Sequence, residues 1–427
     1  MDLLQLVVAA LMGGLAAYLS QQGIAVFNDG LRPLMPEFLE GRMKRRELAL
    51  TSFALSFGLV IGFGIPFSLT SQLILIHSVF LATDIIGTSS PNKWLAAGLG
   101  AAWGALLIVG LQAVVDAFAL LPVNFLDALG QVSSPIVTAF AVFPALAIAL
   151  HHGWKPGVVT FGLQMLVRQL VVRFSPIAIG SASINLNAEG SALVVGMILL
   201  LVFAAREKGE VSAEASLAAV FSDRVKRIKQ NVIVLSVMGA LVAAAANLGA
   251  VAGDPISLNL AAQGNVTDAA IAALARGIGF VPLVATTAIA TGVYGPVGMT
   301  FVFAVGFFSP HWIIAAILGA LMIFIEVMLL DWIARFLDRF PGVRQAGEHI
   351  RTAMTKVLEV ALLVGGMIAG NAMAPGLGYF TVAAIVVLNE AAGLPVNRLA
   401  IGPVAAIITG ILINILKLLT LFTPPSA

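Results

Sequence analysis

Eight ionisable residues stand inside apolar stretches of this sequence: Asp84, Asp116, Arg168, Glu326, Asp331, Glu359, Glu390 and Lys417. Holding a charge at the centre of a bilayer costs at least about 2.5–3.5 kcal/mol, so each is read first as a site for a proton, a cation or a solute. Asp116, Asp331 and Lys417 stand toward the ends of their stretches, where a side chain reaches the headgroups. Glu326 lies deeper, in Ile325-Glu326-Val327 on an otherwise apolar helix. Glu390 adjoins Asn389, and Gly393 and Pro395 behind it stop the helix early. Glu359 is one turn from Lys356, a spacing that also suits a plain ion pair. Glu326, Glu359 and Glu390 are therefore the expected cation-coupling carboxylates, for a proton or Na⁺. Arg168 is expected to meet an acid or an anionic solute.

A second kind of chemistry sits in the run Gly277 to Pro296, which mixes glycines and prolines with Thr286, Thr287, Thr291 and Tyr294. Glycine and proline free backbone groups at membrane depth, which is tolerated where that backbone lines a cavity. A broken helix is expected here, its hydroxyls binding solute together with Asn389; threonines that merely bond back to their own helix are the plain alternative. The stretch Phe27 to Glu37 is the counterpart after the first apolar segment, and its Asp29 and Arg32 are expected to clamp solute or act as a gate. An ordinary cytoplasmic turn would need neither role. His151-His152 reads as interfacial, and Ser133-Ser134-Pro135 as a helix cap. No phosphate-binding glycine loop, Cys/His metal spacing or nucleophile elbow occurs. The expectation is no ATPase domain, no catalytic group, no metal site, and no cofactor beyond a bound Na⁺.

The elements that hold these groups follow from composition. Of 427 residues, 60% are hydrophobic and 10% charged, mean hydropathy is +1.03, and soluble domains carry about 25% charge. With no cysteine and a net charge of +2, a soluble globule, a disordered chain, a nucleic-acid binder and a disulfide scaffold are all excluded. The reading is an all-α polytopic membrane protein. Met1-Asp2-Leu3-Leu4 lacks the basic flank of a signal peptide, so the first segment is expected to stay in the bilayer. Apolar segments fall at about 3–22, 48–66, 69–89, 93–118, 132–152, 156–175 and 191–206, then at 230–250, 278–294, 297–308, 311–334, 353–373, 378–393 and 401–423. That is about 14 transmembrane segments (12–14). Those at 48–89 and 278–308 are full spans or re-entrant.

Ser90-Pro91 and Ala96-Ala97-x-Leu99-Gly100-Ala101 recur as Ser309-Pro310 and Ala315-Ala316-x-Leu318-Gly319-Ala320, a shift of 219 residues that also aligns Pro122 with Pro341, Pro156 with Pro375 and Pro176 with Pro395. Basic residues then distinguish the copies, because loops rich in Lys and Arg stay inside. Lys93 and Lys155 have no basic partner in the second copy, whereas Arg335, Arg339, Arg344, Arg351 and Arg398 have none in the first. The expected organisation is a first repeat at 1–205, a cytoplasmic amphipathic linker at 206–229 and a second, inverted repeat at 230–427. Arg42 to Arg46 then falls inside, and both termini are periplasmic.

The sequence resembles the YhfT family of bacterial inner-membrane proteins. The resemblance rests on Val26-Phe27-x-Asp29-Gly30-x-Arg32-Pro33, on Arg276-Gly277-x-Gly279-Phe280-Val281-Pro282-Leu283-x-Ala285-Thr286-Thr287-Ala288 with Ala290 to Tyr294 after it, and on Glu359 to Gly365. It implies a transporter-like polytopic protein and carries no residue assignment. Inverted repeats are the usual build of secondary transporters. The expected function is alternating-access transport of a small polar, anionic or zwitterionic solute, coupled to H⁺ or Na⁺. The expected partners are the lipid bilayer and the solute, with no nucleic acid, and a homodimer fits the fold class. Two other readings stand beside it: a sugar-translocating membrane subunit of a phosphotransferase system, and a membrane-embedded lipid-modifying enzyme.

Overall fold

The computed structural model describes residues 3–132, 135, 138–139, 141–175, 177–179, 182–184, 188–206, 215–337 and 341–423. Among them the chain is almost wholly helical, as backbone groups in lipid require. In chain order the helices are α1 (Leu3–Gln21), α2 (Met35–Leu39), α3 (Arg45–Leu59), α4 (Ile65–Ser71), α5 (Ile76–Ser89), α6 (Lys93–Ala119), α7 (Leu126–Gly130), α8 (Phe143–His152), α9 (Trp154–Phe174) and α10 (Ala188–Arg206). They continue as α11 (Ala215–Gln230), α12 (Val232–Asn247), α13 (Pro255–Ala262), α14 (Val266–Thr291), α15 (Phe301–Phe308), α16 (Trp312–Leu337), α17 (Pro341–Met373), α18 (Leu377–Ala391) and α19 (Arg398–Leu418). Among the described residues seven helices are long and apolar enough to cross a membrane, or up to nine if each bent pair is one span. This is an all-helical membrane protein. Leu99, Leu106 and Val109 on α6, and Val158, Val159 and Leu166 on α9, are exposed, the apolar surface that lipid covers.

Several boundaries have local causes. Asn92 accepts hydrogen bonds from Trp94 N and Leu95 N and so starts α6; Asp254 does the same for α13 through Ile256 N and Ser257 N. Gly292, at φ 70°, ends α14 in the left-handed conformation that glycine adopts without strain. The segment expected at 48–66 is α3 and α4, joined by a π turn at Val60–Gly64. The segment expected at 69–89 is shorter, because Gln72 leaves the helix at φ 52° and the chain extends before α5.

The region expected to be a broken helix is bent sharply at its proline. Residues 277–291 continue α14, which bends by 47° between Val281 and Leu283. Proline removes one backbone bond and kinks a helix without ending it. A second break follows Thr291, where residues 293–295 run extended and 296–300 turn into α15. The sequence reading also has no segment at α13 or in the first turns of α14, where Gln263, Gly264 and Asn265 interrupt the apolar pattern.

Four short extended pieces knit the centre. Strand β1 (Ile74–Leu75) precedes α5, and strand β4 (Val251–Ala252) follows α12; the two pair in parallel, Ile74 with Val251 and Leu75 with Ala252. Ala25, after α1, pairs in parallel with Tyr294, before α15; Val26 N donates to Tyr294 O at 2.9 Å and Tyr294 N to Ile24 O at 3.0 Å. A separate hairpin, β2 (Ile177–Ile179) and β3 (Ala182–Ile184), stands between α9 and α10.

Around this centre helices meet through small residues, which let backbones approach closely. α1 packs on α6 and α12 on α16. A Cβ on Gly319 would lie 2.5 Å from Gly239 O, and one on Gly100 closer still to Gly13 O. Helix α11, expected as a surface linker, is docked: Val225 and Ile228 are buried, and Arg227 Nη2 donates to Gly23 O at 3.0 Å.

Candidate functional site

The extended pieces cannot pair with neighbours on both sides as sheet strands do, so side chains satisfy their remaining backbone groups. On α5, Asp84 accepts from Phe27 N at 3.0 Å and Asn28 N at 2.8 Å. On α16, Glu326 Oε2 accepts from the Tyr294 hydroxyl and from Met299 N, each at 2.8 Å. Both carboxylates are buried. Each therefore fixes an extended stretch from behind. Gly298, between them in the second stretch, has φ 55° and sits so close to Glu326 that a Cβ there would strike the carboxylate.

Arg32 ties the two stretches to the bent helix. Its Nε donates to Val26 O at 2.9 Å, its Nη1 to Thr287 Oγ1 at 2.9 Å and its Nη2 to Phe27 O at 3.3 Å. Nη2 also lies 2.9 Å from Asp29 Oδ1. The buried guanidinium is thus almost fully coordinated, as a buried charge must be.

These pieces wall a cavity of about 450 Å³. Asp29, Arg32, His77, Asp254, Arg276, Lys356 and Glu359 supply its charged and titratable groups; Phe27, Phe63, Phe280, Leu81 and Val284 supply apolar wall. His77 meets the rings of Phe27 and Phe63 edge-on, at 5.1 and 5.0 Å between centroids. Arg276 lies 4.4 Å above the ring of Phe280. Glu359 is 3.8 Å from Lys356.

Comparison with known proteins now bears on the chain. The YhfT family model, described as a protein of unknown function, matches residues 5–422. The chain belongs to the YhfT family. The uncharacterized protein YhfT of Escherichia coli (strain K12) is 42% identical over 441 residues, covering 99% of this chain and 100% of the relative. No solved structure matches.

Within this YhfT-family fold the residues singled out from sequence fall into three groups. Asp29, Arg32 and Glu359 line the cavity. Thr287, Tyr294 and Glu326 stand just behind it: Thr287 holds Arg32, and Tyr294 and Glu326 hold each other. Thr291 bonds back to Thr287 O at 2.6 Å and accepts from Val293 N at 3.2 Å, so it terminates the helix. The side chain of Thr286 lies outside the described residues, as do Ser133, Ser134 and the side chain of Asp331.

The third group lies away from the cavity. Arg168 faces an acid, Glu189, with Nη2 and Oε1 2.9 Å apart. Asn389 exchanges two hydrogen bonds with the backbone of Val396, at 2.8 and 2.9 Å, and so closes the turn after α18. Glu390 is exposed and paired with Arg398 at 3.1 Å. The expected half-helix cation site is a turn with a surface ion pair. Lys417 donates to Pro122 O at 3.1 Å.

Among the cavity residues of the YhfT-family chain without a role from sequence are His77, Asp254, Arg276 and Thr300. Arg276 stands within the family motif, and a charge amid Ala-Leu-Ala and Gly-Ile-Gly is the signal that marks it. Asp254-Pro255 reads only as a helix start. Asp84, an acid in an apolar stretch, was marked as ionisable without a partner to give it a role.

Proposed function

We propose that this chain is a secondary active transporter of the bacterial inner membrane, moving a small polar, anionic or zwitterionic solute by alternating access with H⁺ or Na⁺. The carrying observation is the cavity itself: it is lined by residues that directly follow the paired extended pieces, Phe27, His77, Asp254 and Val297, and both halves furnish its charges. In this reading the chain has about 14 spans in two inverted repeats, with both termini periplasmic. Strand β1 and the stretch Val293-Tyr294 are 219 residues apart, the same shift as the sequence repeat. Each pairs with the tail of the other half's first helix, a reciprocal exchange that suits a pseudo-two-fold axis. Ser90 and Ser309, also 219 apart, bond back to Ile86 O at 2.6 Å and Val305 O at 2.7 Å in the same way.

Glu326 is the coupling carboxylate in this mechanism. A proton or cation on it weakens its hold on Tyr294 and Met299 and frees the cavity wall to rearrange. Arg32 and Asp29, with Thr287 holding Arg32 from behind, form the solute clamp, and Glu359 is a further acid of the cavity.

The test is uptake into proteoliposomes under an imposed pH or Na⁺ gradient, with labelled amino acids, organic acids and sugars as solutes. Gradient-driven accumulation of an unchanged solute, lost in Glu326→Gln, is expected. A phosphorylated product, a modified lipid, or gradient-independent uptake overturns the reading.

A further inference from the structure

Arg276 stands apart from every other buried charge of the cavity. It is only 5% exposed and among the described residues its guanidinium has no hydrogen-bond partner; Nε is fully enclosed and unsatisfied. The nearby acids act on it only through space. Asp254 is committed to Ile256 N, Ser257 N and the Ser257 hydroxyl, and Asp29 Oδ1 lies 2.9 Å from Arg32 Nη2 without a hydrogen bond of its own. A buried guanidinium whose donors are unsatisfied is costly, and a fold keeps such a group where something else satisfies it.

Besides the acceptor Asp29 Oδ1, two further polar atoms of residues lining the same cavity are in the same condition. Thr300 is 3% exposed, its Oγ1 without a partner, and it holds φ 77°, a conformation that costs a β-branched residue strain and that collects at ligand sites. His77 Nδ1 is enclosed and unpartnered as well, and the Arg276 charge reaches it through space. A guanidinium, a hydroxyl and an imidazole nitrogen, all unsatisfied and carried by residues that line one cavity, complement a planar oxyanion when the imidazole proton sits on Nδ1.

We propose that Arg276, Thr300 and His77 form the anion subsite of the central cavity, and that it takes the carboxylate of a small organic monocarboxylate whose apolar body lies against Phe27, Phe63 and Phe280. One uncommitted cation suits one negative charge. Asp29, Asp254 and Glu359 around it repel a second, which disfavours phosphate and dicarboxylate groups. The aromatic wall suits an apolar body better than a sugar ring, whose hydroxyls would find no partner along Phe27, Phe63 and Phe280. The substrate class rests on the transporter reading; the anion subsite does not.

The experiment is equilibrium binding to the full chain in nanodiscs, where both faces are accessible, with phenylacetate, neutral phenylacetamide, and benzylphosphonate at a pH where it is a dianion. Wild-type protein is expected to bind phenylacetate saturably, and the amide and phosphonate at least about tenfold more weakly. Losing the bidentate fork while keeping the charge predicts a loss of about tenfold or more for Arg276→Lys. Thr300→Gly is expected to bind more weakly too, while its folding holds or improves because glycine accepts the positive φ. Equal binding of acid and amide, undiminished binding by both variants, or no binding of phenylacetate overturns the proposal. Flux of phenylacetate in proteoliposomes is read separately. Binding without flux leaves the subsite standing and sinks transport of this class; gradient-driven flux of another solute without carboxylate binding sinks the subsite alone.

Discussion

The Tyr294 hydroxyl donates to Glu326 Oε2 at 2.8 Å, joining the extended stretch that pairs with Ala25 to the helix behind it. Both groups are buried, and Met299 N shares the same oxygen. The pair is the latch of the cavity wall. Tyr294→Phe and Glu326→Gln are expected to couple in a double-mutant cycle on thermal stability, each single change costing about 1–2 kcal/mol. Glu326→Ala leaves two buried donors without an acceptor, and costs about 1–3 kcal/mol for each. Additive single effects would show that the latch carries no energy.

Helix packing predicts two intolerant glycines and a tolerant one. Gly100→Ala and Gly319→Ala put a methyl into the backbone of the facing helix, and overpacking of that kind costs about 1–3 kcal/mol. Gly98, on the same α6, has nothing within 4 Å of an added Cβ; Gly98→Ala should be neutral or stabilising by up to about 1 kcal/mol. Unfolding temperatures of the three detergent-purified variants check the contrast.

The absence of cysteine makes cross-linking clean. Ile74 and Val251 are register partners, and paired strands lie about 4.8 Å apart, within the span a disulfide bridges. The variant Ile74→Cys with Val251→Cys is expected to oxidise to an intramolecular link visible by mass spectrometry. Persistent free thiols under oxidant would contradict the pairing of the two halves.

Arg168 and Glu189 should behave as a structural pair. Their side chains are 35% and 18% exposed, so solvent screens the interaction to about 0.5–1 kcal/mol. Arg168→Gln is expected to lower the unfolding temperature slightly and leave solute affinity unchanged. A large change in affinity would return Arg168 to the solute path.

Class and helices were legible because they depend on local chemistry. Sparse charge forbids a soluble core, and lipid makes each segment close its own hydrogen bonds, so α1, α6, α9, α10, α16 and α18 begin and end within a few residues of the apolar runs. The run from Gly277 to Pro296 pointed to the centre for the same reason, since breakers and hydroxyls at membrane depth need a lined space. Which groups meet there was decided only in three dimensions. Arg32 reaches Thr287 from 255 residues away, Asp84 holds Phe27 and Asn28, and Asn389 and Glu390 fold onto their own turn. Burial and the count of satisfied hydrogen bonds separate Arg276 from Arg168, and both quantities depend on elements far apart in the chain. An apolar run with a charge in it looks the same whether that charge is paired or open; only the packing of the other half decides.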